Sequence, residues 1–206
     1  MITSYSHDIF VSYSRLPKWP DWVKDWFVPL LEQWVGTELG REVRVFVDTT
    51  LDDGTDWPIA LANALGDSRM LIPLVSRLYI NSKWCRAELS HMLSREEACR
   101  LRSPDNPEGL IVPASIHGKG QLPLPIGARI QINTSLQNYT AVMNKTSPRH
   151  EELSDAIRLW APQIAEAIGR APPYDPRWRS LARAKFEALL QQPTPVQDSV
   201  PSLGGP

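Results

Sequence analysis

The run Met70-Leu71-Ile72-Pro73-Leu74-Val75-Ser76, followed within a few residues by a capped helical pattern, limits the fold of this chain more than any other stretch. An apolar run that short, closed by a serine, reads as a strand buried on both faces. Ser82 is then placed to cap a helix running to about residue 100. Within it, Cys85, Leu89, Met92 and Leu93 make a stripe assigned to the core. Trp84 and Glu88, four residues apart, share a second face near the helix start. An aromatic plane beside a carboxylate, just beyond the carboxyl end of a strand, is where α/β folds take small ligands. Taken alone, the two residues read more readily as a packed tryptophan and a solvated glutamate.

The rest of the chain repeats the strand-then-helix rhythm. His7-Asp8-Ile9-Phe10-Val11-Ser12-Tyr13-Ser14-Arg15 is an apolar strand ending in small polar residues. Residues 22–38 have helical period, with Val23, Phe27, Leu30, Leu31 and Trp34 on one stripe and Trp19, Trp22 and Trp26 on an adjoining face. Pro29 inside that pattern predicts a kink or break. Arg44-Val45-Phe46-Val47-Asp48 is a second strand, and the acidic segment around Asp52, Asp53, Gly54 and Asp56 is a loop turning at Gly54. A short helix over residues 59–65 leads into the strand at 70–76. Leu110-Ile111-Val112-Pro113-Ala114-Ser115-Ile116 is a fourth strand, which Pro113 assigns to an edge or a strand end. Residues 129–132 supply a short fifth. Residues 151–168 form an amphipathic helix on Leu153, Ile157, Trp160, Ile164 and Ile168, with Pro162 as a point of kinking. Such alternation argues for an α/β fold, a parallel sheet of about five strands with helices on both faces. The strand ends then bring residues 12–15, 48–57 and 78–88 to one rim.

Composition narrows the partners. A formal net charge of -1 with no basic block gives no footprint for nucleic acid or an anionic membrane. No apolar run has the length of a membrane span, and the first residues lack the pattern of a secretory signal, so a cytoplasmic location is expected. Cys85 and Cys99 lie about 21 Å apart along one predicted helix, too far to bridge, and no metal-ligand spacing is present. Past residue 170, Pro172, Pro173 and Pro176 mark a boundary, which divides the chain into a domain at 1–170 and an extension at 171–206. The extension reads as a short basic helix at about 177–191 and then a disordered Pro/Gly/Ser-rich tail.

Together these segments resemble a TIR (Toll/interleukin receptor) domain of the bacterial and plant type. The resemblance rests on Asp8-Ile9-Phe10-Val11-Ser12-Tyr13-Ser14, on Val45-Phe46-Val47-Asp48, and above all on Ser82-Lys83-Trp84-Cys85-Arg86-Ala87-Glu88-Leu89. It covers roughly residues 5–170 and is weaker beyond residue 101. The Arg-Asp-x-x-Pro-Gly loop and late Phe-Trp signature of receptor-type members are missing; Asp52-Asp53-Gly54-Thr55-Asp56-Trp57-Pro58 looks more like the loop of enzymatic ones.

The resemblance implies a flavodoxin-like fold and, for many such relatives, cleavage of NAD+ between nicotinamide and ribose, giving ADP-ribose or a cyclised isomer. The matched catalytic glutamate is Glu88, with Trp84 similar in position to the aromatic residue beside it. Tyr13, Ser14 and Arg15 fall where the family contacts adenine and phosphate; Arg15 holds pyrophosphate on this reading and a surface carboxylate on the plain one. Asp48 positions a ribose or stabilises a turn, and Trp57 stacks on nicotinamide, meets a neighbouring subunit, or packs under its loop. The resemblance also implies self-association through TIR–TIR contacts and a role in prokaryotic immune or stress signalling. NAD+ is the substrate, with no cofactor and no metal.

The chemistry agrees with a single carboxylate. Nicotinamide is cationic in NAD+ and leaves without a protonating acid, so the developing charge is oxocarbenium-like, on the ribose. One carboxylate in a water-poor cleft stabilises that charge. His7, His91, His117 and His150 are scattered and read as non-catalytic. Two alternatives use the same fold: a non-catalytic TIR–TIR interaction module, and a phosphoacceptor domain using Asp48, which lacks the expected acidic pair after the first strand.

Overall fold

The computed structural model describes residues 4–14, 19–48, 56–117, 122, 126–137, 139 and 146–191. Strands β1 (His7–Tyr13), β2 (Val45–Phe46), β3 (Ser68–Val75) and β4 (Ala114–Ser115) form one parallel sheet in the order β2-β1-β3-β4. That order is the start of the doubly wound 2-1-3-4-5 arrangement, with its switch point between β1 and β3. The helices are α1 (Trp19–Trp22), α2 (Val28–Leu39), α3 (Trp57–Gly66), α4 (Arg77–Asn81), α5 (Lys83–Ala98), α6 (Pro148–Gly169) and α7 (Arg177–Leu190). They fall into two groups, α2 against α6 and α3 with α5 against α7. Ile9, Phe10 and Val11 of β1 and Met70, Leu71, Ile72, Leu74 and Val75 of β3 are almost wholly buried, as strands covered on both faces must be.

The sheet has four strands among the described residues, not five. Leu71 N–H donates to Leu110 O (2.9 Å), Val112 N–H to Leu71 O (3.0 Å) and Ile116 N–H to Val75 O (3.2 Å). Residues 71 and 75 therefore face the 110–116 segment, and alternation turns Pro73 the same way. With no N–H at Pro73, the ladder is interrupted, leaving an isolated bridge at Ile111 and a two-residue β4. The expected fifth strand is reduced to one parallel bridge between Ala114 and Asn133. Upstream of it, the N–H groups of Arg129 and Ile130 are spent on Ile126 O in a tight turn, so they cannot extend the ladder.

Pro29 breaks the first helical pattern by a specific route. Residues Val23–Phe27 form a π-helical turn between α1 and α2, and Val28 N–H reaches Val23 O. The wider turn places Pro29 at the start of α2, where its missing N–H costs nothing. Pro162 is instead accommodated inside a continuous α6. Much of the tryptophan content is packing. Trp22 stacks on Phe27 at 5.5 Å, Trp34 donates to Ser154 Oγ at 2.9 Å, and Trp26 meets His150 edge-on, which ties α2 to α6.

At the amino end of the sheet, buried Asp8 accepts both arms of Arg41 (2.9 and 2.8 Å) and the Arg44 N–H (3.1 Å). Burial opposes its charge, but these donors outweigh it and hold the carboxyl below the usual carboxylate range. Beyond α6, Tyr174 and Arg179 both bond Asp67, at the end of α3. Arg95, wholly buried on α5, donates to Ser68 O (2.7 Å) and Tyr5 Oη (2.9 Å), with Trp178 5.3 Å from its guanidinium. The basic helix expected at about 177–191 is thus α7, lying along α3 and α5, while the expected tail beyond it lies outside the described residues.

This docking needs Gly66. A Cβ there would lie 2.7 Å from Arg179 Cα and 2.8 Å from Arg179 N, both backbone atoms that cannot rotate away. Gly66→Ala is expected to cost roughly 1–3 kcal/mol by forcing the helices apart, seen as a lower urea midpoint. An unchanged midpoint would show that α7 does not sit where described.

Candidate functional site

The strand ends at the switch point carry the site. Ser12, second to last in β1, is buried and donates its hydroxyl to the Glu88 carboxylate. The next shell comes from the segment after β3. Ser76 caps α4 by accepting the Tyr79 N–H (3.2 Å), and this turns the Tyr79 phenol inward to lie 3.0 Å from Ser12 Oγ and 3.4 Å from the Cys85 carbonyl. Ser82 caps α5 by accepting the Cys85 N–H at 3.3 Å, as its place in the sequence predicts. Glu88 then arrives one turn into α5, 5 % exposed. The stripe of Cys85, Leu89 and Met92 enters the core and Leu93 packs partly against it.

Burial and charge keep two groups beside Glu88, the Tyr79 phenol and the Cys85 thiol, neutral. Burial, then the charges on Cys85 and Glu88, push the Tyr79 phenol well above its ordinary value. Burial, and next the Glu88 charge, likewise push the Cys85 thiol up, with Asp48 adding a smaller effect. A carboxylate flanked by uncharged hydroxyls and a thiol, in a dry setting, acts strongly on any charge brought next to it.

The expected residues divide by position. Ser14 is buried near this cluster, its Oγ 3.4 Å from Ser76 Oγ; Tyr13 is buried at the end of β1. Asp48, half-buried just past β2, is close enough for its charge to be felt at Cys85. Trp57 and Trp84 meet edge-to-face with ring centroids 4.7 Å apart, and Phe186 of α7 lies 5.5 Å from Trp84 on another side. Trp57 therefore packs at the start of α3, directly after the capping residue Asp56. Arg15 and the loop segment 49–55, with Asp52, Asp53 and Gly54, lie outside the described residues. No group of three or more metal-type side chains is gathered among the described residues, and no helix there is long and apolar enough to cross a membrane.

Reading the sequence missed three contributors. Tyr79 carried a detectable signal, since a serine-capped turn after a strand aims the residue three positions on. Ser12 has no motif to single it out from the other rim residues, although alternation along β1 fixes which residue at the strand end faces α5. Phe186 lies just over a hundred residues from Trp84 and has no local signal.

His91, one turn beyond Glu88, is wholly buried, and its ring nitrogens make no hydrogen bond among the described residues. Burial first, then the charges of Arg95 and Lys185, lower its pKa to about 3. An unfolded histidine takes up a proton near pH ~6.5, so the folded state loses stability as pH falls from there toward the folded value, by up to about 1.4 kcal/mol per pH unit. His91→Leu is expected to flatten the decline attributable to this site and to leave neutral-pH stability unchanged or higher. Urea titrations between pH 7 and pH 4 check it; parallel slopes would rule it out.

A doubly wound parallel sheet, with a buried acidic residue set at the ends of its two central strands, defines the class. Within it, a family model for the TIR domain matches residues 9–141, and the chain belongs to that family. Among solved structures it is similar to the TIR domains in the activated Roq1 resistosome directly recognizing the pathogen effector XopQ, with 17% identity over 90% of this chain and 98% of that one at a TM-score of 0.35. No curated protein sequence matches the chain. Helix α7 lies beyond the residues that the family model matches.

Proposed function

We propose that this TIR domain cleaves NAD+ at the bond between nicotinamide and ribose, with Glu88 as the catalytic residue. The observation behind this reading is the setting of Glu88: the glutamate matched to the family's catalytic one is buried at the sheet switch point and held by a hydroxyl. A solvated helix glutamate would have neither feature. As the pyridinium departs, positive charge grows on the ribose, and a carboxylate in a low-dielectric pocket stabilises it without moving. Tyr13, Ser14, Arg15 and Asp48 are assigned to the rest of the dinucleotide, and Trp84 with Trp57 to the nicotinamide flank. Whether the ribosyl cation meets water or an adenine nitrogen depends on how well the site excludes water, so hydrolysis and cyclisation belong to one site. Activity rises with TIR–TIR self-association on this reading, consistent with a place in prokaryotic immune or stress signalling.

A second reading is a non-catalytic module that only associates with other TIR domains. The packing of Trp84 against Trp57 and Phe186 favours it, because rings engaged with one another are less available to a ligand. The two separate cleanly. Concentrated or crowded protein is expected to release nicotinamide from NAD+, and Glu88→Gln, which keeps an acceptor for Ser12, is expected to lower kcat by about 10²–10³ with the circular dichroism spectrum unchanged. Equal turnover in the variant would end the mechanism, and no turnover by wild type at any protein concentration would leave the association module.

A further inference from the structure

Beyond its named residues, the site contains a buried chain of hydroxyls with a fixed direction. Ser12 has one hydroxyl proton and sits against the Glu88 carboxylate, the Tyr79 phenol and the Cys85 thiol. An ionised carboxylate only accepts, so the serine proton goes to Glu88 and the phenol proton is left to point at Ser12 Oγ, 3.0 Å away. The alternative acceptor for the phenol, the Cys85 carbonyl, lies farther off at 3.4 Å. Tyr79 therefore polarises Ser12, and Ser12 in turn donates to Glu88. Both hydroxyl residues are buried, at 2 % and 1 % exposure, so water does not compete freely for these bonds. They also come from separate elements, β1 and α4, which fixes one carboxylate oxygen from the sheet side.

We infer that Ser12 and Tyr79 are positioning residues for Glu88, a relay in which Tyr79 acts through Ser12 to keep the carboxylate ionised and one of its oxygens anchored. The assignment rests on the NAD+-cleavage reading for its kinetic consequence, but the relay itself is a statement about the carboxyl group. Two donors in series favour the charged form, and anchoring one oxygen fixes the orientation of the carboxylate. Titratable groups facing the cluster among the described residues include Tyr79 from α4, Cys85 from α5 and Asp48 after β2. Tyr79 and Cys85 are both pushed up, so neither titrates in the acid range.

The experiment compares the full chain as wild type, Ser12→Ala, Tyr79→Phe and the double variant. Nicotinamide release is followed against pH, and the ¹³C-labelled glutamate carboxyls are titrated by NMR, with Glu88 assigned through Glu88→Gln. Ser12→Ala is expected to lower kcat about tenfold and to move the acid limb up by about one pH unit, the loss of one bond to a charged group. KM is expected to change by less than about threefold, since the lost interaction acts on the transition state. Tyr79→Phe moves the limb the same way by less, and adds nothing once Ser12 is alanine. The Glu88 titration follows the same order. Additive effects in the double variant, or a Glu88 carboxyl that titrates identically in all four proteins, would overturn the relay. Should Ser12→Ala fail to fold, Tyr79→Phe still decides through the carboxyl titration, because Phe fills the same volume. A wild type without turnover would end the NAD+ reading, while the NMR titration would still judge the relay.

Discussion

The pairing of β1 with β3 is the constraint from which the remainder follows. Both strands are sealed on two faces, so their register admits no slip: a shift of one residue would send every side chain into the opposite packed layer, whose shape it does not match. That register sets Ser12 opposite Pro73 and Tyr13 opposite Leu74, and it stops both strands at one level, where Ser14 and Ser76 sit side by side. Polar groups gather at that edge and, at the other, around Asp8, Asp67 and Ser68. The amino end is locked by Arg41 and Arg44 on Asp8, and the carboxyl end holds Glu88. The same pair of strands thus anchors a structural carboxylate at one end and a candidate catalytic one at the other. Asp8 is met by arginines, whereas the partners of Glu88 include the uncharged Ser12 hydroxyl.

Neutral partners matter for chemistry. Arginines that match a carboxylate's charge would leave it little to offer an approaching cation. At Glu88 the Ser12 hydroxyl orients the carboxylate without carrying a charge of its own. Trp57 and Trp84 bound the rim on one side, and their edge-to-face contact gives it a rigid apolar flank.

How much of this could be read from residues alone varied with the range of the contacts. The strand-helix rhythm, the cap at Ser82, the core stripe of α5 and the break at Pro29 are local, and each is set by side chains within a few positions of the feature. The number of strands was not local. It depends on Pro73 disrupting hydrogen bonds of a segment forty residues later, and on the N–H groups near Ile130 being taken by a turn. In the site, Glu88 and Trp84 were legible through their spacing and family pattern. Ser12 and Tyr79 needed the register that brings β1 under α4. Phe186 could be found only once α7 was seen across α3.

The close approach at Gly66 changes what counts as the working unit. Helix α7 meets α3 backbone to backbone there, then continues along α5 until Phe186 reaches Trp84. Ala182 and Phe186 are as deeply enclosed as any residue of the sheet. A polypeptide trimmed to the stretch shared with its kin would bare that furrow and leave Arg95 stranded without its tryptophan cover. It would then offer its neighbours an oily seam that the intact protein keeps closed.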